Sequence, residues 1–164
     1  MNPIVKTVLG LLFICSVYGQ DSMKEGFKLL EKGDFSQAET YFQTYLRNYP
    51  DNRTAQICYG RAVGLNGRPD IANQHFKKLI GEQPNNFEVK INYYESFLWA
   101  KKYEEAELLY AKLVENHPQE FSAVLGYANS LSNVKKYEEA LSWINRSLSL
   151  EPGNESALIS KKYI

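Results

Sequence analysis

The sequence predicts an all-α fold in which short antiparallel helix pairs stack side by side. Prolines and alanines each recur at intervals of 34 residues, and the hexapeptide KKYEEA occurs twice, at the same interval. Self-similarity at one fixed period is typical of stacked-repeat architectures. The residues in phase are Pro50, Pro84, Pro118 and Pro152, together with Ala38, Ala72, Ala106 and Ala140.

Each 34-residue unit has the pattern of two helices, which is clearest in the third. Apolar residues there recur at three- and four-residue steps, so each segment has one apolar face. Lys101 and Lys102 separate the two segments. The helix dipole favours cations at the end of a helix and anions at its start, so these lysines are suited to the end of the first helix. Glu104 and Glu105 are suited to the start of the second for the same reason. The two faces contain Ile91, Tyr94, Phe97 and Leu98, and then Ala106, Leu109, Tyr110, Leu113 and Val114.

Glycine and proline mark the breaks between these helices. Gly33 and Gly67 can adopt the positive φ that a tight turn within the first two units requires. Each in-phase proline ends the second helix of its unit, because proline disfavours helical geometry in the residue before it. A single helix pair cannot bury its apolar stripe alone, so neighbouring pairs are expected to stack.

This pattern resembles the tetratricopeptide repeat (TPR). The resemblance implies a right-handed α-solenoid with four units at 20–52, 53–86, 87–120 and 121–154, and with 155–164 as the start of a fifth unit or a truncated capping helix. The small position of the first helix is filled by Gly26, Gly60 and Ala128. Tyr94 departs from it in the third unit, so local packing there is expected to differ.

The first residues have the order of a secretory signal peptide. Lys6 precedes an uncharged, mostly apolar run from Val8 to Val17, which is too short to span a bilayer. We therefore assign 1–19 to a signal peptide, with cleavage before Gln20. Lipidation at Cys15 or retention as an uncleaved anchor is the alternative.

The composition excludes several classes of function. Nineteen basic and nineteen acidic residues give a formal net charge of 0, which argues against a nucleic-acid binder. His75 and His117 lie in different repeat phases and are interpreted as packing or surface residues, and Cys58 as a small apolar residue. No catalytic residue, metal site or cofactor is predicted, so the chain is interpreted as a non-enzyme.

The resemblance also implies a partner-binding groove, because first helices line the concave face in this family. Among the candidates only Arg61 is cationic and only Glu95 is acidic. The predicted groove is therefore mainly apolar with a few polar side chains, and it is not expected to bind a C-terminal carboxylate. For the isoleucines and leucine, packing between repeats is an equally good interpretation. The candidates are Met23, Phe27, Ile57, Arg61, Ile91, Glu95, Trp99, Leu125, Asn129 and Asn133.

The leading functional hypothesis is a scaffold that binds a peptide or partner surface in an extracytoplasmic compartment: periplasmic or outer-membrane-associated in a bacterium, otherwise secreted. The alternative is the N-terminal scaffold domain of a larger exported or outer-membrane protein. The apolar end at Tyr163 and Ile164 favours a fragment of a longer chain. Membrane association is expected only through an uncleaved signal or a missing C-terminal region. An RNA-binding helical repeat fits the charge and the predicted export poorly.

Overall fold

The computed structural model describes residues 23–164, and within that range all regular structure is α-helical. The predicted all-α class is confirmed. The proposed signal peptide 1–19, its cleavage before Gln20 and Cys15 lie outside the described residues. The helices are α1 (23–32), α2 (Phe35–Asn48), α3 (Arg53–Leu65), α4 (Pro69–Glu82), α5 (Phe87–Trp99), α6 (Tyr103–Asn116), α7 (Phe121–Asn133), α8 (Tyr137–Leu150) and α9 (Glu155–Lys162).

The chain divides into two compact units, which are described separately. The first extends to residue 66 and contains α1, α2 and α3 among its described residues. The second covers residues 67–164 and contains α4 to α9. In the second unit each helix packs on the next along the chain, and α5 also contacts α7. This stacking of helix pairs is the arrangement predicted from the 34-residue period.

The first helices of the repeats begin with a recurring asparagine cap. The Oδ1 atom of Asn52 accepts from the Ala55 amide at 2.9 Å, and that of Asn86 from the Val89 amide at 3.1 Å. Asn154 caps α9 in the same way. Each cap satisfies an amide that the first turn leaves without a helical partner. Glu120 takes this position before α7 and makes no side-chain cap.

The turn inside each repeat uses a left-handed residue at the same position of the 34-residue unit. Gly33 and Gly67 have φ of 79° and 81°, as the sequence predicts. Lys101 and Lys135 take this position in the next two repeats, with φ of 58° and 64°. A side chain is disfavoured there because its Cβ crowds the following carbonyl oxygen. Backbone strain is therefore stored at two exposed lysines.

We expect Lys101→Gly and Lys135→Gly each to stabilise the second unit by about 0.5–1 kcal/mol, since glycine relieves this crowding. Both tryptophans, Trp99 and Trp143, lie in the second unit. Their fluorescence during urea unfolding therefore measures the effect on this unit. Gly67→Ala is the control in the opposite direction and should lower the stability of this unit. Its added Cβ would meet no atom within 4 Å, so the change introduces only the backbone strain of a positive φ. A lower urea midpoint for the lysine variants would contradict the prediction.

The core of the first unit forms where α2 packs on α3. Its buried side chains come from the apolar faces of both helices, and Met23, Leu29 and Leu30 of α1 pack against them. Cys58 is buried among them, which agrees with its interpretation as a small apolar residue. The buried members are Ala38, Phe42, Tyr45, Ala55, Cys58 and Ala62.

The core of the second unit contains the in-phase alanines and the aromatic or aliphatic residue four positions after each. Ala72, Ala106 and Ala140 are fully buried. The residues four positions later are Phe76, Tyr110 and Ile144, each at most 2% exposed. Polar groups in this core are paired: Ser130 and Ser147 donate to the Tyr127 and Ile144 carbonyls.

The third repeat packs differently, as the departure at Tyr94 predicts. Where the other repeats have a small residue, the half-buried ring of Tyr94 meets the ring of Tyr110 edge-on, with centroids 5.7 Å apart. The Tyr110 ring in turn lies over Gly126 of α7. A Cβ at Gly126 would lie 2.1 Å from Tyr110 Cε1. The large residue at Tyr94 is thus accommodated by the absence of a side chain in the next repeat.

Candidate functional site

The candidate groove residues occupy two positions of α1 and of α3 and three positions of α5 and of α7, four residues apart. In the second unit the first helices are α5, α7 and α9, and α5 is in direct contact with α7. This unit therefore brings Ile91, Glu95 and Trp99 of α5 next to the helix that carries Asn129 and Asn133.

Two candidates of the second unit serve packing. Leu125 is buried, at 8% exposure, so it lines no open surface. Ile91 is partly buried and packs against the core cluster that contains Tyr110 and Leu113. The packing interpretation of these two aliphatic residues is the one their burial supports.

Trp99 also contributes to packing. Its ring centroid lies 6.4 Å from that of Phe76, the fully buried phenylalanine of α4. Trp99 lies beside Leu98 of the apolar face of α5 and not in its phase, and the neighbouring helix α4 contacts it. Part of the ring stays accessible. Truncation of Trp99 would therefore affect both stability and any binding, which makes it a poor probe of the surface.

The polar candidates of α7 remain accessible. Asn133 is exposed, and its Nδ2 atom donates to the Asn129 carbonyl at 2.8 Å. Asn129 is partly exposed one turn earlier. Side-chain amides can donate to and accept from the backbone of an extended peptide. This part of the helix provides uncharged hydrogen-bonding groups.

Two further residues at the candidate repeat positions were not predicted as groove residues. Ile159 and Tyr163 of the α9 region lie 34 residues after Leu125 and Asn129, and are 56% and 79% exposed. The 34-residue spacing was the signal that could have found them. Tyr163 was noted only as part of an apolar end. Large apolar side chains with this exposure are typical of interaction surfaces when they lie together.

In the first unit the candidate positions fall on α1 and α3. Phe27 is 36% exposed, and its ring centroid lies 6.2 Å from that of Phe42. Met23 packs against the core cluster, and Ile57 is buried at 3% exposure. Arg61 is partly exposed. Phe27 and Arg61 are thus the accessible members here.

The charge of the candidate surface is low. Glu95 is the one formally charged candidate in the second unit, and Arg61 the one in the first. The remaining accessible candidates are amides, aromatic rings and aliphatic groups. The surface can thus bind uncharged peptide backbone and apolar side chains, and Glu95 would repel a carboxylate.

Residues suited to other chemistry are scattered. His75 lies against Phe76, and His117 against Phe87 with ring centroids 5.0 Å apart, so both histidines take part in packing. Over residues 23–164 no group of three or more His, Cys, Asp or Glu could hold a metal ion. None of the helices in that range is long and apolar enough to cross a membrane.

Comparison with known families supports the repeat pattern. A family model described as tetratricopeptide repeat matches residues 25–87, and a second model with the same description matches residues 65–126. No curated protein matches the chain.

Solved structures share the fold at low identity. A thermophilic TPR protein of Thermus thermophilus superposes with a TM-score of 0.74 at 18% identity, over 85% of this chain and 79% of that one. The second TPR domain of human RPAP3, solved with the HSP70 peptide SGPTIEEVD, gives 0.54 at 23% identity, over 63% and 86%. The TPR domain of Arabidopsis OM64 gives 0.55 at 22% identity, over 63% and 85%.

Proposed function

Because this chain is built of tetratricopeptide repeats, we propose that it is a non-enzymatic scaffold that binds a peptide or a partner surface. TPR proteins are generally scaffolds, and the RPAP3 domain binds a peptide in the structure described above. The observation that carries the proposal is the set of accessible first-helix residues in the second unit. Exposed Ile159 and Tyr163 offer apolar anchors, while Asn129 and Asn133 offer amides.

We further propose that the scaffold works after export. Support comes from the sequence alone, where Lys6 and the apolar run from Val8 to Val17 precede small residues at the proposed cleavage site. Periplasmic or outer-membrane association in a bacterium, or secretion elsewhere, follows from this proposal. The alternative is that the repeats form the N-terminal scaffold domain of a larger exported protein.

We expect the double variant Ile159→Ala and Tyr163→Ala to lose partner capture while its melting temperature stays within about 2 °C of the wild type. Both side chains are largely exposed, so their truncation removes apolar contact area and little packing. Affinity capture from the native extract, followed by mass spectrometry, measures the loss. The intact mass of the exported bait should also correspond to a chain that begins at Gln20.

The matched control is the double variant Ile71→Ala and Leu108→Ala. These exposed aliphatic residues, at 48% and 66% exposure, lie on the second helices α4 and α6. They should leave capture unchanged. Equal recovery of partners by both double variants would show that the surface lies elsewhere, and a bait that retains residues 1–19 would exclude cleavage at Gln20.

A further inference from the structure

A pocket of about 480 Å³ lies between α5 and α6, on the two helices of the third repeat. It is formed near the start of α5 and the end of α6, which come together because the helices run antiparallel. Lys90 and Lys112 provide the formal charges of its lining, and no carboxylate belongs to it. The lining residues are Lys90, Tyr94, Lys112, Leu113, Asn116 and His117.

The two lysines lack the ion pairs that other lysines of this unit make. Lys102 pairs with Asp70 at 3.0 Å, and Lys136 pairs with Glu107. Within residues 23–164, no carboxylate lies within ion-pair distance of Lys90 or Lys112. The described part of the chain therefore leaves two positive charges at this pocket uncompensated.

The carboxylates nearest in sequence lie outside the lining, and the two helix ends have opposite polarity. Glu88 and Glu115 are exposed and lie outside the lining. The positive end of the α5 dipole and the negative end of the α6 dipole meet at the pocket and oppose each other. The formal charges in the lining itself are thus those of Lys90 and Lys112.

Neutral donors complete the lining. Burial, and next the nearby Tyr93, raise the pKa of the Tyr94 hydroxyl above its usual value, so it stays protonated and can donate. One N–H of the Asn116 amide donates to the Lys112 carbonyl at 2.7 Å, which leaves its second N–H for a ligand. The His117 ring is oriented by its edge-on contact with Phe87. The half-buried Tyr94 ring provides an accessible apolar side of the pocket.

This combination is confined to the third repeat. At the Tyr94 position the second and fourth repeats have a small residue, and at the Asn116 or His117 position each of them has a glutamate. The residue that departs from the repeat pattern, Tyr94, thus both lines this pocket and contacts Tyr110 in the core. The corresponding residues are Gln56, Gly60, Lys78, Glu82 and Gln83 in the second repeat, and Val124, Ala128, Arg146, Leu150 and Glu151 in the fourth.

We propose that this pocket binds a small soluble phosphate monoester. A monoester carries close to two negative charges at neutral pH, which matches two unpaired lysines, whereas one carboxylate would leave one lysine uncompensated. The volume exceeds that of a phosphate group and lies in the range of small-molecule sites. The organic part of the ligand lies against the Tyr94 ring.

Phenyl phosphate is a suitable probe, since its aromatic ring can pack against the Tyr94 ring. In a titration of the purified protein at low ionic strength, followed by ¹H–¹⁵N spectra, the backbone amides of Lys90, Tyr94 and Asn116 should shift, with a Kd of about 1 mM or below. The double variant Lys90→Gln and Lys112→Gln should weaken binding at least tenfold. Because both lysines are accessible, the unbound spectrum should otherwise keep its dispersion.

The matched control is Lys77→Gln with Lys78→Gln on α4, where both lysines are exposed and Lys78 takes the position equivalent to Lys112. It should leave the Kd unchanged. An equal loss in both double variants would indicate nonspecific charge attraction and overturn the proposal. Benzoate binding as tightly as phenyl phosphate, or lysine-dependent binding to phosphatidic acid vesicles without binding of the soluble probe, would also overturn it.

Discussion

Gly126→Ala is expected to destabilise the second unit by about 2 kcal/mol, although alanine is the better helix former. The new Cβ would lie 2.1 Å from Cε1 and 2.5 Å from Cζ of Tyr110, well inside van der Waals contact. The Tyr110 ring is 2% exposed and already meets the Tyr94 ring on another side, so it has little room to move. Contacts this short place the overpacking cost at the upper end of its usual range of about 1–3 kcal/mol, and a helix-propensity gain of about 1 kcal/mol then leaves a net loss of about 2 kcal/mol.

Gly81→Ala is the matched control, because Gly81 also lies within a helix of this unit but its added Cβ would meet no atom within 4 Å. That change should stabilise the unit by about 0.5–1 kcal/mol, so the two alanines should shift the urea midpoint in opposite directions. In a double-mutant cycle with Tyr110→Leu, the cost of Gly126→Ala should fall by at least about 1 kcal/mol. The same cost in both backgrounds would show that the ring does not cause the clash.

The period and the core could be predicted from the sequence because they depend on local patterns that recur. Ala38, Ala72, Ala106 and Ala140 were identified by spacing alone, and all four are fully buried. A close helix crossing accepts only a small side chain, so the same geometry selects the same residue type in every unit. The turns at Gly33 and Gly67 follow in the same way from the positive φ that they require.

Features that depend on contacts between repeats could not be predicted from the sequence pattern. The sequence shows that Tyr94 takes a position where other repeats have a small residue. The residues that accommodate its ring are Tyr110 and Gly126, up to 32 residues away. The left-handed Lys101 and Lys135 were missed because a lysine carries no signal for positive φ. Only alignment with Gly33 and Gly67 in the repeat could have indicated their conformation.

The candidate surface was predicted only in part, for a related reason. Positions on a first helix can be deduced from the period, but exposure at each position depends on which neighbouring side chains cover it. Leu125 and Ile57 are covered, Trp99 is partly covered by Phe76, and Tyr163 is largely open. Helical phase thus identifies the face of a helix, and the packing of adjacent helices decides which residues on that face can reach a partner.

Ala106→Leu is expected to destabilise the second unit by about 1–3 kcal/mol, since Ala106 is fully buried at the start of α6 and has no room for three more carbon atoms. Glu104→Leu provides the control: Glu104 is exposed two residues earlier in the same helix turn, so the identical new side chain should change the free energy of unfolding by less than about 0.5 kcal/mol. Urea titration followed by tryptophan fluorescence measures both changes in the unit that contains them. Equal effects at the two positions would contradict the assignment of the in-phase alanine to a close helix crossing. A large cost at Ala106 alone would show that the in-phase alanine of the third repeat occupies a sterically restricted position.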